Sequence, residues 1–336
     1  MYTAAENRYQ EMEYRKCGKS GLRLSAFSLG FWHNFGTHDD YEQMKAMCFT
    51  AFDQGITVFD LANNYGPVPG SAEEHAGRIF KQELAAYRDE MIISTKAGHA
   101  MWDGPYGDGG SRKYLIASLD RSLQRLGLDY VDIFYHHRPD FATPLEESMQ
   151  ALADIVRSGK ALYVGLSKYD GERTLRAARI LEELHCPFVV NQSRYSLFDR
   201  HIEENGLAAA AEDCGCGIVA FSPLAQGLLS EKYLQGIPED SRMKKSGVFL
   251  RPEHLTEERL LQLRDLHALA VSRGQTIAQL ALSWVLHHKA VSSVLIGASR
   301  PEQIRENVQA LSAGVLTDEE ISEIDKILEK PAATKA

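Results

Sequence analysis

The sequence predicts a closed (β/α)8 barrel of the TIM type, with an N-terminal β-hairpin and long loops on the catalytic face. Apolar, β-rich runs alternate with helical periods along the chain, eight strand-like runs can be placed, and three successive ones end in an ionisable side chain. A doubly wound open sheet is the alternative, and eight strand–helix units fit the barrel better. The chain starts with a short flap in which residues 14–17, a Gly-Lys-Ser-Gly turn and residues 22–24 read as a hairpin. Strands are then expected at 25–31, 56–60, 91–96, 130–136, 161–166, 187–191, 217–221 and 291–296. Helices are expected at 41–54, 72–85, 112–126, 144–158, 170–184, 202–214, 255–288 with a break near Gly274, 301–311 and 317–329. Ser111 is placed to cap a helix, as is Thr317 with Glu320, in a capping-box pattern. Gly159 and Gly215 fall where a left-handed residue ends a helix. Two long loops, 97–111 and 224–254, follow strands and therefore belong to the catalytic face. Only the tail from Lys330 is low in complexity.

Composition bounds the function. With 336 residues, 44% apolar and 25% charged, the chain reads as one globular domain over 1–336, its core about 13–330. A net charge of −9 argues against nucleic-acid and anionic-membrane partners. No apolar run approaches the ~18 residues of a membrane span, and the opening MYTAAENRYQEMEYR lacks a secretory hydrophobic region. The five scattered cysteines, Cys17, Cys48, Cys186, Cys214 and Cys216, suggest reduced thiols and a cytoplasmic location.

The chemistry concentrates at strand ends. ITVFD ends in Asp60 and runs into LANNYG with Tyr65, MIISTK ends in Lys96, and VDIFYHH ends in His137. In a parallel barrel these ends form the catalytic face. A phenol is a weak acid with a reference pKa of about 10, and a nearby lysine ammonium is expected to lower it. Asp60 would hold Lys96, His137 would position a substrate oxygen, and Tyr65 would protonate it. Four unrelated polar residues at strand ends are the plain alternative. His136 and His137 cannot both face one site, because successive strand residues point to opposite sides. Neither that pair, nor His287–His288, nor Cys214-Gly215-Cys216 has metal-ligand spacing, so no metal is expected. The stretch Gly104–Gly110 lacks the Gly-Lys-Ser/Thr ending of a phosphate loop and reads as a substrate-side loop. Trp32 and Trp102 are candidates to line a carbonyl pocket, whereas Tyr106 is expected to pack the loop.

Longer segments carry a resemblance. KCGKSGLRLSAFSLGFW, FDLANNYGPVPGSAEE, ISTKAG, SLDRSLQRLGLDYVDIFYHHRPD, NQSRYSL, FSPLAQGLLSEKY and VLIGASRPEQIRENV, spread over about 13–312, make the chain similar to the aldo-keto reductases. Within them it resembles the branch of bacterial L-glyceraldehyde 3-phosphate reductases and potassium-channel β-subunits. The resemblance implies a (β/α)8 barrel that binds NADP(H) without a Rossmann motif. It puts the acid on Tyr65, the lysine on Lys96, the aspartate on Asp60 and the histidine on His137, five residues beyond Asp132. Cofactor contacts fall on Trp32, Asp60, Ser167 and Gln192, with Phe221 as the ring stacked on nicotinamide. Ser222, Leu224, Gln226 and Lys232 match the pyrophosphate stretch, and Arg242 the adenosine-phosphate end. Gly297, Ser299, Gln303, Glu306 and Asn307 match the adenine segment. Independently, Lys232, Arg242, Lys244, Lys245 and Arg251 cluster in one loop, and Gly297–Arg300 precede a helix whose N-terminus attracts phosphate. A solvated basic loop is the plain reading; the functional one favours NADP over NAD. Ala298 departs from the family, which often has lysine there, and Arg242 and Arg300 would have to compensate.

The implied activity is NADPH-dependent reduction of small aldehydes, such as glyceraldehyde 3-phosphate or methylglyoxal, to alcohols. The competing function is a channel-β-like NADPH-binding regulatory module with slow turnover, against which His137 argues. A metal-free hydrolase lacks a Ser/His/Asp grouping. The family branch also implies a homo-oligomer, a tetramer or octamer.

Overall fold

The computed structural model describes residues 2–239 and 250–329. A hairpin comes first, β1 (Tyr14–Lys16) paired antiparallel with β2 (Arg23–Ser25). Eight parallel strands then close into a barrel: β3 (Phe27–Gly30), β4 (Val58–Asp60), β5 (Ile92–Ala97), β6 (Val131–His136), β7 (Ala161–Ser167), β8 (Phe188–Arg194), β9 (Gly217–Phe221) and β10 (Val291–Ile296), with β10 pairing back onto β3. All eight expected runs supply a barrel strand. The run 25–31 is divided, since Ser25 pairs with Tyr14 in the hairpin while Phe27 begins the barrel.

Alternation decides what each strand residue does. On β6, Ile133 and Tyr135 join Val58, Val190 and Val219 inside the barrel, whereas Phe134 joins the outer core beneath the helices. Around the barrel run α1 (Tyr41–Asp53), α2 (Ser71–Ile79), α3 (Arg112–Leu126), α4 (Leu145–Arg157), α5 (Gly171–Glu183), α6 (His201–Glu204), α7 (Leu207–Cys214), α8 (Glu257–Ser272), α9 (Ile277–His287), α10 (Pro301–Val308) and α11 (Asp318–Glu329). In α3 the buried side chains Leu115, Ser118, Leu119, Ser122 and Leu126 recur three and four residues apart and make one inward stripe. Each fully buried leucine of this kind contributes about 1.5–3 kcal/mol.

Capping follows the sequence. The Ser111 hydroxyl accepts from Tyr114 N–H, and Thr317 and Glu320 form the reciprocal pair at the start of α11. Gly159 and Gly215 adopt φ of 76° and 75° past α4 and α7. The 255–288 segment breaks at Gly274, as expected. Three helices differ. The 72–85 run ends as α2 at Ile79 and continues as a π-turn over Phe80–Leu84, which keeps Phe80 and Leu84 both in the core. The 202–214 run splits at Gly206 (φ 76°), whose backbone lies against Gly171. The 301–311 run tightens to a 3₁₀ turn after Val308.

The hairpin covers the N-terminal end of the barrel. Lys19 N–H donates to Gly215 O at 2.8 Å, Cys17 Sγ reaches Val189 O at 3.2 Å and Ser292 Oγ donates to Lys16 O at 2.9 Å. Access to the interior is left to the opposite end, where the strands finish. Among the described residues, no helix is long and apolar enough to cross a membrane.

Candidate active site

At the C-terminal ends of β4 and β5 the barrel holds a buried ion pair. Asp60 and Lys96 are 1% and 0% exposed, a placement charged groups tolerate only when fully partnered. Lys96 Nζ donates to Asp60 Oδ2 at 2.5 Å, to Leu61 O at 2.6 Å and to the Tyr65 phenol oxygen at 3.3 Å. The second carboxylate oxygen, Asp60 Oδ1, accepts from Ser94 Oγ at 2.8 Å and Gln192 Nε2 at 3.0 Å. The phenol oxygen thus accepts from the ammonium and keeps its own O–H to donate elsewhere. His137 stands just beyond β6, its N–H bonded to Ala97 O at 2.9 Å and its ring edge-on to Tyr65 at 5.8 Å between centroids. The sequence-predicted Asp60, Tyr65, Lys96 and His137 therefore converge.

One expectation needs correction. Tyr65 is held well above the ordinary phenol value, not lowered toward it: burial dominates and the Asp60 carboxylate adds to it. Lys96 is lowered by burial, against the pull of Asp60. His137 is held well below its ordinary value by burial and then by Lys96, His99 and Lys168, so it is neutral. Its neighbour His136 points the other way, with Nδ1 2.7 Å from the Tyr169 hydroxyl and its ring against Gly110. The two histidines divide between the faces as strand alternation requires.

The expected cofactor residues spread around the same rim. Trp32 follows β3, its ring 6.5 Å from that of Tyr65. Ser167 ends β7 with a buried Oγ that has no hydrogen-bond partner among the described residues. Gln192 on β8 donates one amide N–H to Asp60, and Phe221 ends β9. Beyond it Ser222, Ala225 and Gln226 adopt φ of 55°, 47° and 62°, a left-handed run in non-glycine residues that costs energy and concentrates at functional sites. Gln226 Nε2 donates to Ser222 Oγ at 2.8 Å, Leu224 lies in the same turn, and Lys232 sits in the short 3₁₀ turn Glu231–Tyr233. After β10, Gly297 has open space where a side chain would begin, and Ser299 N–H donates to Gln303 Oε1 at 2.8 Å at the start of α10. Glu306 O accepts from Gln279, and Asn307 is buried. Arg242, Lys244 and Lys245 lie outside the described residues.

The aromatic residues of the 97–111 loop contact α3. Trp102 packs on Tyr114 at 5.3 Å under the Arg121 guanidinium, both on α3, which anchors the loop. Tyr106 is exposed beside Lys113. Sequence reasoning missed His99, Lys168 and Arg194, which gather near His137 and Phe221. Lys168 and Arg194 lie at or just past strand ends, the signal that located the tetrad. Among the described residues no three His, Cys, Asp or Glu side chains gather as metal ligands.

Comparison with known proteins gives this geometry a lineage. The sequence pattern of the aldo/keto reductase family matches residues 26–329. The chain is 56% identical over 329 residues, 97% of its length and 95% of the other protein, to the L-glyceraldehyde 3-phosphate reductase of Escherichia coli O157:H7, and equally so to that of strain K12. It is 36% identical over 332 residues, 97% of its length and 99% of the other, to a probable voltage-gated potassium channel subunit beta of Oryza sativa subsp. japonica. With a match running from the first barrel strand to the last helix, the chain belongs to the aldo/keto reductase family.

Proposed function

We propose that the protein is an NADPH-dependent aldehyde reductase, acting on small aldehydes such as glyceraldehyde 3-phosphate or methylglyoxal, with Tyr65 as proton donor. The observation that carries this is the direction of the Lys96–Tyr65 hydrogen bond, which leaves the phenolic proton for a substrate oxygen. A phenol held above its ordinary value stays protonated at neutral pH and gives up its proton only as negative charge develops on the oxygen it faces. Lys96, fixed by Asp60, stabilises the phenolate that remains. Neutral His137 is suited to hydrogen-bond the same oxygen and orient the carbonyl.

The residues present fit the nicotinamide cofactor. The unpartnered Ser167 Oγ and the Gln192 amide suit a carboxamide, the Phe221 face suits an aromatic ring, and the open approach at Gly297 before α10 suits a phosphate. When bound, the cofactor supplies hydride to the carbonyl carbon. Arg242 and Arg300 are the cations assigned to a 2′-phosphate, in the absence of a lysine at Ala298. The identity to L-glyceraldehyde 3-phosphate reductases supports a catalytic role. The likeness to a channel β-subunit supports the second reading, a slow NADPH-binding module, and His137 beside Tyr65 favours the first. An NADPH-oxidation screen over glyceraldehyde 3-phosphate, methylglyoxal and aromatic aldehydes tests the proposal. Turnover that Tyr65→Phe abolishes is expected, and tight cofactor binding without turnover would favour the binding module.

A further inference from the structure

We propose that Lys168 and Arg194, flanking Phe221 beside His99, form an anion-binding subsite that selects aldehydes bearing a phosphate or carboxylate over neutral ones. This rests on reading the tetrad as a carbonyl-reducing site and assigns the substrate's charge. Lys168 follows Ser167 at the end of β7, and Arg194 ends β8. Each places its cation 6.0 Å from the Phe221 ring centroid. Lys168 Nζ also lies 3.2 Å from His99 Nε2, and the His99 ring meets the His137 ring edge-on at 4.5 Å. The ammonium therefore stands one ring away from the tetrad, within reach of the far end of a short substrate.

Three features argue that this cluster awaits an anion. Among the described residues no carboxylate pairs with Lys168, whose charged neighbours are Lys96, Arg194 and Arg138. Desolvation and those cations pull Lys168 down to about 8, and desolvation with Lys168 and Arg138, against Asp108, lowers His99 to about 4 and keeps it neutral. Arg194 has only a 3.5 Å contact with Asp199, whereas Arg138, the other arginine near Lys168, is tied to both Asp108 oxygens at 2.8 Å. Finally, Lys168 adopts φ 62°, fixed by its N–H bond to Gln192 O at 2.9 Å. A β-carbon residue rarely holds that conformation without a role for it. A lysine with no carboxylate partner among the described residues and an arginine held only by a long one, at the mouth of a protein with net charge −9, concentrate anions where the chemistry occurs.

The test compares kcat/KM for glyceraldehyde 3-phosphate, 4-oxobutanoate and glyceraldehyde in the wild type, Lys168→Met, Lys168→Arg and Arg194→Gln. The two anionic substrates separate a phosphate from a carboxylate preference. Lys168→Met should lower the ratio of anionic to neutral kcat/KM about ten- to a hundredfold, chiefly through KM, as expected for lost charge-assisted hydrogen bonds. Lys168→Arg should restore most of it. An unchanged ratio, or equal losses for all three aldehydes, would overturn the subsite while leaving the reductase reading intact. Should Lys168→Met fail to fold, Lys168→Gln and Arg194→Gln carry the same comparison. Should no aldehyde oxidise NADPH, the reductase reading fails, and calorimetric binding of glycerol 3-phosphate against glycerol, with saturating NADP+, decides the subsite. A roughly tenfold weaker glycerol 3-phosphate affinity in Lys168→Met supports it, and equal affinity overturns it.

Discussion

Thr95 and Lys96 are adjacent on β5 and serve opposite sides of the barrel wall. Outward, Thr95 Oγ1 donates to Glu73 Oε1 at 2.5 Å, and the other oxygen of this buried carboxylate takes Arg125 Nε and a second guanidinium nitrogen at 2.7 Å. Inward, Lys96 meets Asp60 and Tyr65. Both are buried charge pairs, yet the outer one is saturated by protein, whereas the inner one borders a phenolic proton and two atoms, His137 Nδ1 and Ser167 Oγ, that have no hydrogen-bond partner among the described residues. A pair with every acceptor filled holds helices to a sheet. A pair surrounded by unused donors and acceptors is built for something that arrives.

That contrast is open to direct attack, and the largest expected effect lies inside. Tyr65→Phe should cut turnover by about two orders of magnitude or more with NADPH affinity near wild type, as followed by cofactor oxidation and fluorescence quenching. Near-normal turnover would remove the inner pair's claim to chemistry. Glu73→Ala should do the reverse. Leaving the mostly buried Arg125 with the Ser122 hydroxyl and no carboxylate should lower stability by about 3 kcal/mol, read from denaturant midpoints, and cost far less per folded molecule in kcat.

The histidines sharpen the comparison on β6. His137→Ala should lower carbonyl reduction by about a hundredfold, whereas His136→Ala should mainly destabilise, by about 1–3 kcal/mol for the abandoned Tyr169 hydroxyl. The opposite kinetic ranking would mean that the faces have been assigned the wrong way round. His136 also predicts an acid response. Burial lowers it from about 6.5 to about 4, with Arg173, Arg138 and His99 acting the same way against Asp140. Between those values the unfolded chain binds a proton that the folded one refuses, so stability is full above about pH 6.5 and falls as pH drops toward 4, by about 3 kcal/mol at the limit. His136→Gln should flatten the difference between urea midpoints at neutral and acid pH. The smallest effect concerns cofactor choice: Arg242→Ala should weaken NADPH about ten- to a hundredfold and NADH much less, as titrated by tryptophan quenching.

Much of this was legible because barrel strands are apolar and short, so a polar residue at a strand's end stands out. Asp60, Lys96 and His137 were found that way, and alternation separated His137 from His136. Lys168 obeys the same rule, but it follows the apolar run LYVGLS as one of many surface lysines, and its exceptional backbone angle is invisible in sequence. The Glu73–Arg125 pair joins residues 52 apart on two helices, a distance no local pattern bridges. That the Trp102 ring meets α3 is likewise beyond sequence, because it depends on how the loop after β5 folds back. The acidity of Tyr65 is hidden from the sequence for a related reason: proximity to Lys96 can be read from strand ends, while burial depends on the packed whole.

The register of β5 has an evolutionary consequence. Asp60 lies opposite Ser94, and Lys96 opposite Tyr135, so the strand is locked to neighbours on both sides. Inserting or deleting one residue there would send Lys96 to the wall and Thr95 to the mouth, removing both pairs in a single event. Heritable change in what this barrel accepts is thereby channelled into point substitutions at strand ends and length changes in loops such as the one that follows β5, where an added residue leaves the strand alternation untouched.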